Sequence, residues 1–200
     1  MIPVKPQPEP ADFDAKVRAP GRSFLASNPH PNRKQFSKNN FWRPCLEDLR
    51  VAYDSICAYS GCWLSTDYTL DHFLPKSTYP SLAYEWENYR LLCARINHVK
   101  SDRLGILDPF GVQLGWFALD CASFYVHPGS GLAGALADEV RNTIDALQLN
   151  HDALVEVRFN VARDYSQGSV TFSFLLRRYP FVGLELQRQG LVKKIRGAIK

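Results

Sequence analysis

The sequence predicts an α+β protein on three observations. Two short apolar runs with strand character, Thr69 to Asp71 and Tyr89 to Leu92, precede a Gly- and Pro-free stretch from Ala94 to Arg103 that suits a helix. Beyond Gly131 apolar residues recur at helical spacing, Leu136, Val140, Ile144 and Leu147 in one stripe and Leu154, Val157 and Val161 in the next. Ahead of both regions, residues 1–44 hold eight of the 13 prolines, a density that reads as an extended arm docking where Phe24-Leu25 and Phe41-Trp42 meet the body.

In chain order, Pro44 opens a helix over about 45–57, with Leu46, Leu49, Ala52, Tyr53 and Ile56 on one face. Ser60-Gly61 marks a turn. Pro75 and Pro80 make the stretch between the two strands a loop, since neither ring can donate to a ladder. Gly115 to Leu119 and Ser123 to Val126 read as a hairpin. Pro180 starts a last helix through Leu184, Leu191 and Ile195, with Gly183 and Gly190 inside that span working against it. The organisation expected is therefore an extended basic arm (1–44), a core with its following hairpin (45–127) and a helical C-terminal extension (128–200).

Charge is distributed unevenly. The 200 residues carry 24 Lys plus Arg and 20 Asp plus Glu. Residues 1–44 have a surplus of five positive charges and residues 188–200 another five, so residues 45–187 are acidic by six. Basic ends on an acidic body suit contact with a phosphate backbone. No apolar run approaches the ~20 residues of a membrane span. Met1 to Pro10 lacks the apolar core of a secretory signal. Five cysteines without a framework spacing fit a reducing compartment, and the cytoplasm is expected.

The chemistry-bearing residues cluster in Thr69-Leu70-Asp71-His72-Phe73-Leu74-Pro75-Lys76-Ser77, Glu87-Asn88-Tyr89-Arg90 and Asn97-His98-Val99-Lys100-Ser101-Asp102. An Asp-His pair ends one strand and Asn88 precedes the second. Asn97 lies on the following helix with Lys100 three residues on. A histidine near its ordinary pKa of ~6.5 can take a proton from water at neutral pH. A carboxylate and an amide carbonyl suit a hard divalent cation. Adjacent strand residues point to opposite faces, so Asp71 and His72 share a site only if the strand ends or distorts there.

Over residues 57–103 this pattern resembles the HNH endonuclease family, the ββα-metal finger. The resemblance implies a phosphodiester hydrolase acting on DNA, with His72 as general base and Asn88 bracing the loop that orients it. It implies Asp71 and Asn97 as ligands of one Mg²⁺ or Mn²⁺, with His98 as the alternative ligand. Lys76 and Lys100 are the phosphate-binding candidates, Lys100 because i and i+3 share a helix face with Asn97.

Many family members add two Cys-x-x-Cys pairs around zinc. Here Ser60 and Ile96 stand where a second cysteine of each pair would be, leaving Cys57, Cys62 and Cys93. Structural zinc takes four Cys or His ligands, so none is expected. The Pro-rich start, Tyr179-Pro180-Phe181 and Arg188-Gln189-Gly190 also look like HNH proteins of bacterial anti-phage defence islands, some of which, in Septu-type systems, work with an ATPase partner. A non-catalytic nucleic-acid-binding module, or a partner-binding subunit of such a complex, is the alternative. The residues do not choose between DNA and RNA, since a backbone grip carries no such information.

Overall fold

A computed structural model describes residues 1–199. The chain is mixed α and β with two small antiparallel sheets, and it divides into two compact units. One unit comprises residues 5–55 and 64–104. The other comprises residues 1–4, 56–63 and 105–200. Among the described residues, no helix is long and apolar enough to cross a membrane.

The first unit absorbs most of what the sequence suggested was an extended arm. A π-helical turn over Asp14–Arg18 runs into α1 (Ala19–Ser27), and α2 spans Arg33–Lys38. The prolines do not prevent this. Pro20 lies where the π-helical turn passes into α1, within one continuous helical stretch, and Pro31 precedes the α2 cap. Asn32 caps α2 reciprocally: its Oδ1 accepts from Gln35 N (3.0 Å) and its own N–H donates to Gln35 Oε1 (2.8 Å). Phe13 meets Trp86 and Tyr89 edge-on, and Phe24, Phe36, Phe41 and Trp42 surround Tyr84. Tyr84, Trp86 and Tyr89 are buried core residues. Gly21 shows how close the packing is. A Cβ there would lie 2.2 Å from Tyr84 Cγ, so α1 seats on that ring only with glycine.

A 3₁₀ turn over Arg43–Cys45 leads into α3 (Leu46–Ala52). The helix is shorter than the predicted 45–57 because Asp54 and Ser55 adopt positive φ of 52° and 59°, which ends regular winding. Strands β1 (Tyr68–His72) and β2 (Tyr89–Cys93) pair antiparallel, with Asp71 opposite Arg90 and His72 opposite Tyr89. Helix α4 (Ala94–Lys100) follows β2 without a loop and stops at Ser101, whose φ is 45°.

The second unit holds the hairpin β3 (Phe117–Leu119) and β4 (Val126–Pro128), then α5 (Gly134–Ala146), α6 (Asp152–Ser166), α7 (Phe172–Arg178) and α8 (Pro180–Arg188). The hairpin therefore belongs with the C-terminal helices and not with the 45–127 core predicted for it. Residues 56–63 join the same unit through the bridge between Ile56 and Trp63 and the bond from Trp63 N to Arg178 O (2.7 Å). On α6 the buried face runs through Leu154, Arg158, Val161 and Tyr165, and Val157 is exposed. Helix α7 has no counterpart in the sequence reading. The alternation in Val170, Phe172 and Phe174 mimics a strand, and the cap that Thr171 provides, accepting from Phe174 N at 3.2 Å, decides for helix. Gly183 sits inside α8 where a Cβ would come within 3.1–3.3 Å of α7. Gly190, at φ 67°, follows the helix end, so α8 stops at Arg188 and not at Ile195.

Candidate functional site

The functional residues predicted from sequence gather around the end of β1, and α4 is what fixes them there. Two α4 residues, three apart, grip successive parts of the strand. Asn97 Nδ2 donates to Thr69 Oγ1 (2.9 Å) and to Leu70 O (3.4 Å). Lys100 Nζ donates to Asp71 Oδ1 (3.1 Å), His72 O (3.0 Å) and Phe73 O (3.1 Å). An ammonium has three donors, and all three are spent. Lys100 is fully buried. This corrects its assignment to phosphate: Lys100 clamps the strand end and neutralises Asp71.

The loop after β1 is held from its far side by Asn88, which is 5% exposed. Its Oδ1 accepts from Leu74 N (2.8 Å), and its Nδ2 donates to Leu74 O (2.9 Å) and Leu82 O (3.1 Å). The next carbonyl, Ala83 O, accepts from His72 Nε2 (2.9 Å) and Tyr89 Oη (2.9 Å). Asn88 thus acts through the loop backbone on the imidazole and is a positioning residue.

That hydrogen bond sets the tautomer of His72. A carbonyl can only accept, so the ring proton is on Nε2 and the lone pair is on Nδ1. Nδ1 has no hydrogen-bond partner among the described residues. Trp42 and Tyr89 stand edge-on to the imidazole at 4.8 and 5.3 Å. Burial, reinforced by the charge of Lys76, pushes the His72 pKa down to about 3, against the pull of the Ala83 carbonyl. His72 is therefore neutral throughout the physiological range.

His72, Asp71, Asn97, His98 and Lys76 all line one cleft of about 470 Å³. The strand ends at His72, which lets neighbouring residues share it. Burial pushes the Asp71 carboxyl up from its ordinary value, with Lys100, Arg90 and Lys76 pulling it back. Asp71 Oδ2 is buried 3.0 Å from the Lys100 ammonium and accepts no hydrogen bond among the described residues. Asn97 uses only its amide donors, so its Oδ1 is also unengaged among the described residues. Those two oxygens fit a hard cation that keeps most of its water. Among the described residues no group of three or more His, Cys, Asp or Glu side chains converges to hold a metal, and the donors that would face one here are one carboxylate and one amide. His98 is exposed on the same cleft and makes no hydrogen bond among the described residues.

Lys76 is half-buried, with Nζ 5.4 Å from the Trp42 ring centroid. Burial and the neighbouring Lys100 and Arg33 lower its pKa, with Asp102 and Asp71 opposing. Of the three cysteines considered for zinc, Cys57 and Cys62 lie in the C-terminal unit and Cys93 in the other, and all are buried. The sequence reading missed three contributors: Thr69, the Ala83 carbonyl, and Arg33, which lines the cleft from the start of α2. Asn32 and Gln35 at capping-box spacing mark the α2 start, but nothing in the sequence says that this helix borders the cleft.

No protein-family model matches the chain, and no curated protein matches its sequence. A functional reading therefore rests on the residues and the geometry just described.

Proposed function

We propose that the protein is a metal-dependent endonuclease that hydrolyses phosphodiester bonds in DNA, in the manner of the HNH proteins its motif resembles. The observation that carries this is the state of His72: a buried neutral imidazole whose Nε2–H is committed to Ala83 O, whose Nδ1 has no hydrogen-bond partner among the described residues, and which lines a cleft with Asp71, Asn97 and Lys76.

His72 Nδ1 takes a proton from the attacking water. In the free protein burial opposes that protonation. A phosphodiester anion in the cleft favours it, because opposite charge stabilises imidazolium. The Ala83 carbonyl holds the ring in place through the transfer, and Asn88 holds the carbonyl. Lys76 brings positive charge to the phosphate oxygens. Asp71 and Asn97 would hold Mg²⁺ or Mn²⁺, which supplies Lewis-acid polarisation of the phosphate and charge for the departing oxygen. Lys100 keeps the strand end and the Asp71 carboxylate in position.

The test is cleavage of supercoiled plasmid with Mg²⁺ or Mn²⁺. Wild type is expected to nick or linearise it, and His72→Ala to be slower by about 10²–10⁴, the usual contribution of a general base. Equal rates in the two proteins contradict the assignment. The resemblance to defence-island proteins makes an ATPase the partner class to seek by co-purification.

A further inference from the structure

The basic surplus of residues 1–44 is not spread along the segment. Lys16 pairs with Asp12, Arg18 with Glu9, Asp14 and Glu85, and Arg22 with Glu85. The basic residues left without an ion pair among the described residues are Lys5, Arg33, Lys34, Lys38 and Arg43. Four of these five fall within residues 33–43, where there is no acid.

Two of the four face clefts. Arg33 lines the cleft of His72 and Lys76. Arg43 lines a second cleft of about 310 Å³ with Ser37, Asn40, Trp42 and Thr69. The two clefts share Leu70, the residue before Asp71. Both arginines are exposed. They flank the strand end that carries the candidate catalytic residues. Lys34 and Lys38 carry the same charge on the same segment and line neither cleft.

Resting on the endonuclease reading, we infer that residues 33–43 form the track for the DNA strand, with Arg33 and Arg43 binding backbone phosphates on the approach to the scissile bond. Arg33 completes the anion site that Lys76 begins. It replaces Lys100, whose donors are all engaged within the fold. A guanidinium offers a fork of donors matched to phosphate oxygens. Ser37 and Asn40, between the two arginines, add neutral donors to the same path. Lys16, Arg18 and Arg22 are taken up in ion pairs within the fold and take no part.

DNA binding as a function of salt, measured in the His72→Ala background so that no strand is cut, tests this. Each phosphate neutralised on duplex DNA contributes about 0.9 to the slope of log affinity against log salt. Arg33→Gln/Arg43→Gln should flatten that slope by close to two phosphates' worth, and Lys34→Gln/Lys38→Gln, with the same charge removed, much less. Both pairs are exposed, so thermal melting should match the parent. Equal slopes in the two double variants overturn the track, as does binding confined to RNA. If wild type also fails to cut plasmid with Mg²⁺ or Mn²⁺ while the arginine pair still sets the slope, the nuclease reading falls and the track stands. If wild type cuts and the arginine pair changes nothing, the track falls and the nuclease reading stands.

Discussion

Two sets of polar groups, one around Glu185 and Arg158 and one at the end of β1, are treated in opposite ways. In the C-terminal unit, the Glu185 carboxylate is 1% exposed and accepts from Leu119 N, Arg188 and Gln189, with both oxygens engaged. Arg158, equally buried, donates to Phe124 O and Leu149 O. In the unit that carries the cleft, Asp71 Oδ2 accepts no hydrogen bond, and His72 Nδ1 and Asn97 Oδ1 have no partner among the described residues. An unsatisfied buried acceptor costs about 1–3 kcal/mol. That cost falls on Asp71 Oδ2, which is buried without a hydrogen bond and meets the charge of Lys100 at 3.0 Å. The saturated groups hold a fold, and on the proposed function the open ones are what a substrate and its cation would complete.

The contrast can be broken at Lys100 with the largest expected effect. Lys100→Ala strands the Asp71 carboxylate and two backbone carbonyls in the interior, and removing one partner of a buried pair costs about 3–5 kcal/mol. Chemical denaturation should show that loss. A change below about 1 kcal/mol would mean that Lys100 is free for phosphate after all.

Gly21→Ala comes next. Its methyl group has no room against Tyr84, and overpacking of this kind costs about 1–3 kcal/mol, visible as a lower Tm. An unchanged Tm would show that residues 5–27 are a loose arm. For the same reason, deleting the first 40 residues is no clean test of DNA binding. It would remove Phe13, Val17 and Phe36 from the core.

A smaller effect separates the two candidate ligands. Asn97→Ala should weaken Mg²⁺ binding, so that cleavage needs more metal, and be partly rescued by excess Mn²⁺, and His98→Ala should retain activity. The reverse pattern, read from cleavage rate against metal concentration, gives the ligand role to His98. Glu185→Gln keeps most of its hydrogen bonds and should lower stability without altering the cleavage rate per folded molecule. A loss of rate in that variant would remove the distinction between the units.

The strand, strand and helix around Asp71, His72 and Asn97 were legible because residue types at fixed spacing carry them. Asn88 was legible as a brace, since an amide can join donors to acceptors. Lys100 was misread. Its spacing places it on the Asn97 face of α4, but helical spacing is silent on which side of that face meets β1. The N-terminal segment was misread because prolines count against helix in bulk. Here Pro3, Pro6, Pro8 and Pro10 lie in irregular chain ahead of the first helix and Pro31 lies before a cap, and the aromatic contacts that fold the segment are long-range. Gly183 and Thr171 carried local signals that tertiary packing resolved, one into a close α7–α8 contact and the other into a helix cap.

The most direct measurement follows the His72 ring nitrogens by NMR as pH is lowered. Burial places the folded pKa at about 3, well under the unfolded value of ~6.5. Between those values the unfolded chain binds the extra proton. Stability from this group is therefore complete above pH ~6.5 and is lost as pH falls toward 3. The ring should remain the neutral Nε2–H tautomer from about pH 8 to about pH 5, with Nδ1 unprotonated. Titration near ~6.5, or a proton found on Nδ1 in the neutral ring, would contradict a buried base held by Ala83 and with it the central claim.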